Sequence, residues 1–324
     1  MTAQRHDGSA RRDLADPSSR TTRSDVQTPG TCICIATYRR PLLLAQLLQS
    51  VAVSVEERTD GTPLPRVLVI DNDGSASAKE IVRAAPIMCD YIREPRPGIV
   101  AARNAALRNL TDAERWVIFV DDDEVVNPDW YSTLMAARRL RAAIVTGPVV
   151  PRFSPDTPKW ITSGGFFQRP RRLTGDVNPH PATNNALVDR TFIKKLANPW
   201  FDEAYSITGG SDSDFFGRIV ASGGTSVWCD EAIVSEDIPQ QRANFRWIFR
   251  RNVRLGNVTR RVTLRDTNSL MIVILGTSRC LLGFFECTFD LTRGRVRQQS
   301  LAHFAKGIGM VRSIFGHNVS EYRR

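Results

Sequence analysis

The sequence predicts an α/β protein built on a mostly parallel sheet with helices on both faces. Three observations carry that prediction. Short apolar runs alternate with segments of helical periodicity through the first half of the chain. Polar residues follow three of those runs at once: Thr37, Asp71 and Asp121. The apolar content of 42% and charged content of 24% are those of a globular chain, and 324 residues suffice for a large domain or a domain plus an extension.

The elements follow in order. Residues 31–36, "TCICIA", read as a buried strand, and "LLLAQLLQSVAVSV" has helical spacing. "RVLVI" is a second strand ending at Asp71, followed by the turn-like "NDGSAS" and a helix through "AKEIVRAA". "CDYIRE" is a third strand, and "PRPGIVAARNAALRNL" a turn and helix. Residues 116–120 form a fourth strand, "PDWYSTLMAARRLRA" a helix, and "AAIVTGPVVP" a fifth strand. Residues 151–182 are a long connection rich in Pro and Gly, a length that usually marks function. "ATNNALVDRTFIKKL" resumes strand then helix, a further helix starts near Ser211, and residues 225–239 hold a strand pair or one bent strand. In such sheets ligands bind beyond the carboxyl ends of the strands, so Thr37, Asp71 and residues 121–123 share one rim.

The formal net charge of +10 and pI near 9.8 call for an anionic partner: nucleic acid, a membrane surface or a phosphorylated ligand. No nucleic-acid module or stacking-aromatic motif is present, so nucleic acid is not expected. Six cysteines without CxxC spacing point to reduced thiols, a cytoplasmic compartment and no structural zinc. Residues 1–30 are polar, lack the apolar stretch of a signal peptide, and read as a disordered tail. The most apolar later segment, residues 270–289, is interrupted by Arg279 and Glu286. It is expected to lie in an interface or a core rather than to span a membrane. From Gln240 onward the chain is basic and helical.

Four constellations have chemistry. Asp121 and Asp123 form a D-x-D whose oxygens suit a hard divalent cation, although a solvated acidic turn or a helix cap reads equally from these residues. Asp71 is placed to accept hydrogen bonds from a ribose or base, or to make an Asx-turn with Gly74. No GxGxxG or GxxxxGK[ST] is present, so phosphate neutralisation would fall to a metal. In "GGSDSDFFGR", Asp212 sits at a helix start, where the dipole keeps a carboxylate ionised, as a general base needs; a plain N-cap is the alternative. Glu236 follows the strand "AIVS", as a further ligand or a surface charge.

The segments "ICIATYRRP", "VLVIDNDGSASA", "PGIVAARNAAL", "FVDDDEVVNPDW", "TGPVVPRF" and "GGSDSDFFGR" occur together and in this order. They resemble an inverting family 2 glycosyltransferase of the GT-A fold, over roughly residues 31 to 257. Within the family they are most similar to bacterial exopolysaccharide glucosyltransferases of the succinoglycan-biosynthesis type. The resemblance implies a GT-A catalytic domain over residues 31–240 and a basic helical region over 241–324, associated with membrane or acceptor. It implies that Thr37, Tyr38 and Arg39 lie under a UDP-sugar, that Asp71 contacts its uracil or ribose, and that Arg103 and Asn104 line the donor pocket. Asp123 would bind Mg²⁺ or Mn²⁺, with Asp121 beside the ion and the donor, and Glu236 as a third ligand. Asp212 would be the general base. A single sugar, expected to be glucose, would pass to a glycan or lipid-linked oligosaccharide, at an anionic membrane surface on the cytoplasmic side.

Two positions depart from the family pattern. Ser211 replaces the Glu of G-G-E-D, and Ala243 replaces the Gln of Q-x-x-R-W, which argues against a processive synthase. Two other readings share parts of the pattern: a sugar-nucleotide nucleotidyltransferase, and an inactive GT-A-fold basic binding protein.

Overall fold

A computed structural model describes residues 30–58, 61–197, 199–206 and 208–317. The expected disordered tail lies outside the described residues, apart from Gly30, which begins the first strand. In chain order the elements are β1 (Gly30–Thr37), α1 (Pro41–Glu56), β2 (Arg66–Asp71), α2 (Lys79–Arg83), β3 (Cys89–Arg93) and α3 (Ile99–Arg108). Then come β4 (Glu114–Asp121), β5 (Glu124–Val126), α4 (Trp130–Ala137), β6 (Ile144–Thr146), β7 (Val149–Phe153), α5 (Lys159–Ser163), β8 (Asn185–Asp189) and α6 (Arg190–Ile193). The last are α7 (Ser211–Ala221), β9 (Ser226–Trp228), β10 (Val234–Ile238), α8 (Phe245–Val258), α9 (Ser269–Thr292) and α10 (Gln298–Ile314).

Seven strands form the main sheet in the order β3-β2-β1-β4-β8-β6-β9, and β8 alone runs against the others. The chain leaves β1 toward β2 and β3 on one side and returns to β4 on the other. The strand order therefore reverses at β1, and a crevice opens there. Ala36 pairs with Asp121 and Thr37 with Asp71, which puts the three polar strand ends on one rim, as the sequence predicts.

Each face of the sheet has its own apolar layer. Leu44, Leu47, Leu48, Val51 and Val55 of α1, at helical spacing, pack with α4 against Ile33, Ile35, Val67 and Val69. On the other face Val100, Ala102 and Ala106 of α3 and Phe215, Phe216 and Ile219 of α7 cover Cys34, Leu68 and Phe119. Each fully buried large side chain contributes about 1.5–3 kcal/mol, so these layers hold the sheet rigid behind the crevice.

The structure differs from the sequence reading at three places. The single strand expected over residues 142–151 is two strands, β6 in the main sheet and β7 in a second sheet of order β5-β10-β7. The chain crosses between sheets at Gly147, where a Cβ would stand 2.1 Å from the carbonyl oxygen of Ala232. The acidic turn after β4 runs on into β5, which pairs antiparallel with β10. Residues 225–239 hold two strands, β9 and β10, in different sheets.

After β10 the helices α8, α9 and α10 follow. Asn244 and Asn268 cap α8 and α9 by accepting the backbone N–H groups of Trp247 and Met271. Glycines bring α10 close to both: Gly309 against Val253 of α8, and Gly283 against Phe304 of α10. α9 is 24 residues long and apolar enough to cross a membrane by length and composition, and only 17% of its apolar stretch is buried. The interruption expected at Arg279 and Glu286 does not break it: Glu286 pairs with His303 of α10 at 2.7 Å, and Arg279 stays exposed.

Asn185 joins the two sheets. Its amide nitrogen donates to the carbonyl oxygens of Pro148 (3.2 Å) and Ala232 (2.6 Å), and its oxygen accepts from Trp130 Nε1 (2.9 Å). Asn185→Ala leaves Trp130 Nε1 and the Ala232 carbonyl without these bonds, while the Pro148 carbonyl keeps the N–H of Val234, and is expected to lower stability by about 2–3 kcal/mol. Urea unfolding measures it, and a loss under about 0.5 kcal/mol would contradict this role.

Candidate active site

The crevice is a cleft of about 670 Å³, a volume suited to a ligand of nucleotide-sugar size. Its floor is the end of β4. The backbone N–H of Asp121 donates to Glu124 Oε2 at 3.0 Å, which folds the acidic turn onto itself. Burial, with the charge of Asp121, pushes the Glu124 carboxyl well above its usual range. Asp122 turns back to β1 and accepts from Thr37 Oγ1 (2.7 Å) and Arg40 (2.9 Å). Asp123 accepts from the same Arg40 nitrogen at 2.9 Å and lies 3.7 Å from Arg242. Asp121 faces Arg103 at 3.5 Å. Burial pushes its carboxyl up to about 7; Arg103 pulls the other way, and the crowding of Asp123, Asp212 and Asp122 adds to the rise.

Arg103 also binds Asp212, at 2.5 Å, and so bridges the two acids. Asp212 lies in the first turn of α7, which Gly210 introduces with φ +102°, a conformation glycine adopts without strain. Its carboxylate also accepts from Thr183 N (3.2 Å), Thr183 Oγ1 (2.8 Å) and Ser211 Oγ (3.2 Å). Burial favours the neutral acid, yet Arg103 first and then Thr183 and Ser211 hold the carboxyl below its usual range. At neutral pH it is an ionised carboxylate held in one orientation.

The structure gathers Tyr38, Thr37, Arg103, Asp121, Asp123 and Glu236 at one cleft, with Asp212 behind Arg103. Three expected donor contacts stand elsewhere. Asp71 is fully buried, and its oxygens accept from Asp73 N (3.0 Å), Ala78 N (2.9 Å) and Tyr91 Oη (2.9 Å). It braces the loop after β2, and its neighbour Asn72 lines the cleft instead. Asn104 is 1% exposed and clamps Phe201, donating to its carbonyl at 2.8 Å and accepting its N–H at 2.9 Å. Arg39 turns outward with φ +54° and pairs with Asp73 at 3.1 Å, and Arg40 takes the place at the cleft.

Asp121, Asp123 and Glu236 are hard oxygen donors of the kind Mg²⁺ or Mn²⁺ takes. Among the described residues no three acidic, histidine or cysteine side chains already gather as a cage. Arg242 bonds Glu236 at 2.9 Å and reaches toward Asp123, so the guanidinium holds the span between those two acids. Asp121 and Asp123 fit a divalent ion, whose charge would relieve the crowding, while Glu236 is engaged by Arg242.

Sequence reasoning allowed the basic run after β10 to bind phosphate or lipid headgroups but did not place it on the wall facing the floor. Arg242, Trp247, Arg250, Arg251 and Arg254 line the cleft, with Phe167 and Arg169 from the long connection. The signal was present in the spacing 247, 250, 251 and 254, one face of a helix. A basic run more often reads as a solvated surface.

The family model described as "Glycosyl transferase family 2" matches residues 32–197. The chain is 35% identical over 244 residues to the succinoglycan biosynthesis protein ExoM of Rhizobium meliloti (strain 1021), covering 74% of this chain and 76% of that protein. Among solved structures, S. aureus TarS 1–349 in complex with UDP matches with a TM-score of 0.51 at 14% identity, over 88% of this chain and 91% of that one. A second crystal structure of S. aureus TarS 1–349 gives 0.50 at 15% identity, over the same shares. At such identities the likeness is one of fold, and it agrees with the GT-A architecture.

Replacing Arg103 by Gln removes the main cation beside Asp212 and the guanidinium that faces Asp121 at 3.5 Å. Both carboxyl groups are expected to titrate at higher pH than in the unaltered protein, Asp121 above about 7. Carbon-13 NMR of the side-chain carboxyls measures this, and an unmoved Asp212 would remove Arg103 as its stabiliser.

Proposed function

The chain belongs to glycosyl transferase family 2, and we propose that it moves one sugar, expected to be glucose, from a UDP-sugar to a glycan or lipid-linked oligosaccharide acceptor in polysaccharide biosynthesis. The likeness to a succinoglycan biosynthesis protein supports that class of product. The observation that carries the chemistry is Arg103, which lines the cleft and links Asp121 to Asp212 behind it.

Asp212 takes the proton of an acceptor hydroxyl as that oxygen attacks the anomeric carbon of the donor. The bond from that carbon to the diphosphate breaks on the opposite side, UDP leaves, and one displacement inverts the configuration. Arg103 and Thr183 keep Asp212 ionised and aimed. Tyr38, which lines the cleft, offers a ring face to the nucleotide. Mg²⁺ or Mn²⁺ held by Asp121 and Asp123 would supply positive charge to the departing diphosphate. Ala243 in place of a glutamine supports single addition over processive synthesis. The exposed apolar α9 and the basic C-terminal helices support a peripheral site at the inner face of a membrane.

Asp212→Asn keeps the size of the side chain but cannot take the proton, and its amide nitrogen cannot accept as the carboxylate oxygen it replaces does. Transfer is expected to fall by about 10²- to 10⁴-fold while UDP-sugar still binds. Full activity in this variant would remove the proposed base. Chelation should abolish transfer and added Mn²⁺ restore it, with Asp123→Ala unresponsive; transfer that survives chelation would rule out the metal. The released nucleotide should be UDP, since pyrophosphate would point to nucleotidyl transfer.

A further inference from the structure

The helix α9 divides its residues between two faces. Ile272, Arg279 and Glu286 stand seven residues apart in one row, and Gly276, Gly283 and Asp290 in the neighbouring row. These two rows hold every charged residue of the helix and all four of its buried residues, Ile272, Gly276, Gly283 and Asp290. The opposite face carries no charge over the 24 residues from Ser269 to Thr292. Leu270, Ile274, Leu281, Phe284 and Phe285 lie on it, each at least half exposed. An open apolar surface of that length marks a contact with another phase or another molecule.

The buried rows face α10 along the helix. A Cβ on Gly276 would stand 2.7 Å from Val311 Cγ2, and one on Gly283 2.2 Å from the backbone nitrogen of Phe304. Asp290 accepts from Ser300, and Glu286 pairs with His303. α10 is fixed in turn to α8: Gly309 packs on Val253, and Asn257 donates to the Gly309 carbonyl at 2.7 Å. α9 has the length and composition to cross a membrane, but with these contacts it cannot cross alone. α10 would follow and carry Gln298, His303, Lys306 and Arg312 into hydrocarbon, where charge is costly. Parting the two helices would instead leave Glu286 and Asp290 in lipid without His303 and Ser300. The packing therefore suits a helix that lies flat, with one face on protein and the other on lipid.

Charge selects the lipid. Residues 240–317 hold 14 Arg and Lys against three acids, Asp266, Glu286 and Asp290. Glu286 is paired with His303 and Asp290 with Arg297. Exposed arginines stand at both ends of α9, Arg265 before the Asn268 cap and Arg293 and Arg295 after the last turn, and exposed Arg279 borders the apolar face at mid-length. The Arg293 guanidinium lies 4.0 Å from the ring centre of Phe289, so apolar ring and charged head adjoin, as at a membrane surface. Two copies of the chain joined through this face would set arginines against arginines at both helix ends, which disfavours self-association. We propose that α9 lies in the plane of an anionic lipid leaflet, with Leu270, Ile274, Leu281, Phe284 and Phe285 sunk to the boundary of headgroups and acyl chains and the flanking arginines among the lipid phosphates. This contact rests on the membrane-side reading above and specifies it, and it takes no part in the transfer chemistry.

Co-sedimentation of the full chain with lipid vesicles tests this. Vesicles of equimolar phosphatidylglycerol and phosphatidylcholine should bind it at least about tenfold more tightly than phosphatidylcholine alone. The double variant Leu281→Ser, Phe285→Ser, on the exposed face, should lose about tenfold or more in affinity for the mixed vesicles, with UDP–Mn²⁺ binding unchanged. From bacterial membranes carrying the chain, an alkaline carbonate wash should release it. Equal binding to the two kinds of vesicle, or full binding by the double variant, would overturn the proposal. Retention through the carbonate wash would overturn it in favour of a spanning helix. A stable dimer in lipid-free solution, seen by light scattering and dissolved by the double variant, would overturn it by giving the face to a second copy. Failure of the transferase reading shows separately, as absence of UDP–Mn²⁺ binding by the unaltered protein while vesicle binding persists.

Discussion

The rest of the site answers one electrostatic problem: four consecutive carboxylates, Asp121 to Glu124, at the end of a strand buried in the sheet. Two unit charges 4 Å apart repel by about 4 kcal/mol at an effective dielectric of about 20. The fold separates the four by function. All four border the cleft, but Glu124 is buried and drawn toward its neutral form and Asp122 is turned onto Thr37, which leaves Asp121 and Asp123 as its more exposed carboxylates. Three arginines from three parts of the chain supply the compensating charge. Arg40 precedes α1, Arg103 lies within α3, and Arg242 precedes α8. The ends of these helices are thereby drawn to one point, and the cleft is the space among them.

That arrangement explains which parts of the site could be read from the sequence. The positions of Thr37 and Asp121 followed from strand periodicity and the rule for strand ends, and the sheet places both on the rim. Asp71 and Asn104 were misplaced for one physical reason. Sequence locates a polar side chain near the rim but does not say whether backbone groups have already taken its oxygens. The run Asp71-Asn72-Asp73-Gly74 carried the turn signal, and the buried loop behind it consumes the Asp71 carboxylate. Asn104 lies one helical step from Arg103 and so points to the opposite side, into the backbone of Phe201. The arginine wall was illegible for a different reason. Whether a basic helix face meets water or a cleft depends on what packs behind it. Here Ile248 packs into a cluster with Ile161, Phe166 and Leu301 and turns the arginines inward.

The cleft is therefore polarised, with carboxylates on the floor and guanidinium groups on the wall. Charge of both signs at short range suits ligands that carry their own charge at defined points. It also bears on Ser211, the departure from the family pattern beside the base. Ser211 is 3% exposed, and its hydroxyl bonds Asp212 at 3.2 Å. A glutamate there would bury a second carboxylate against Asp212, drawing on the same Arg103 that already serves Asp121. With a single guanidinium shared by two acids, a third would raise the proton affinity of Asp212 and leave less of it ionised. Serine instead donates a hydrogen bond to the ionised form. In a site where Arg103 is the shared counter-ion, serine at 211 therefore preserves the ionised Asp212 carboxylate.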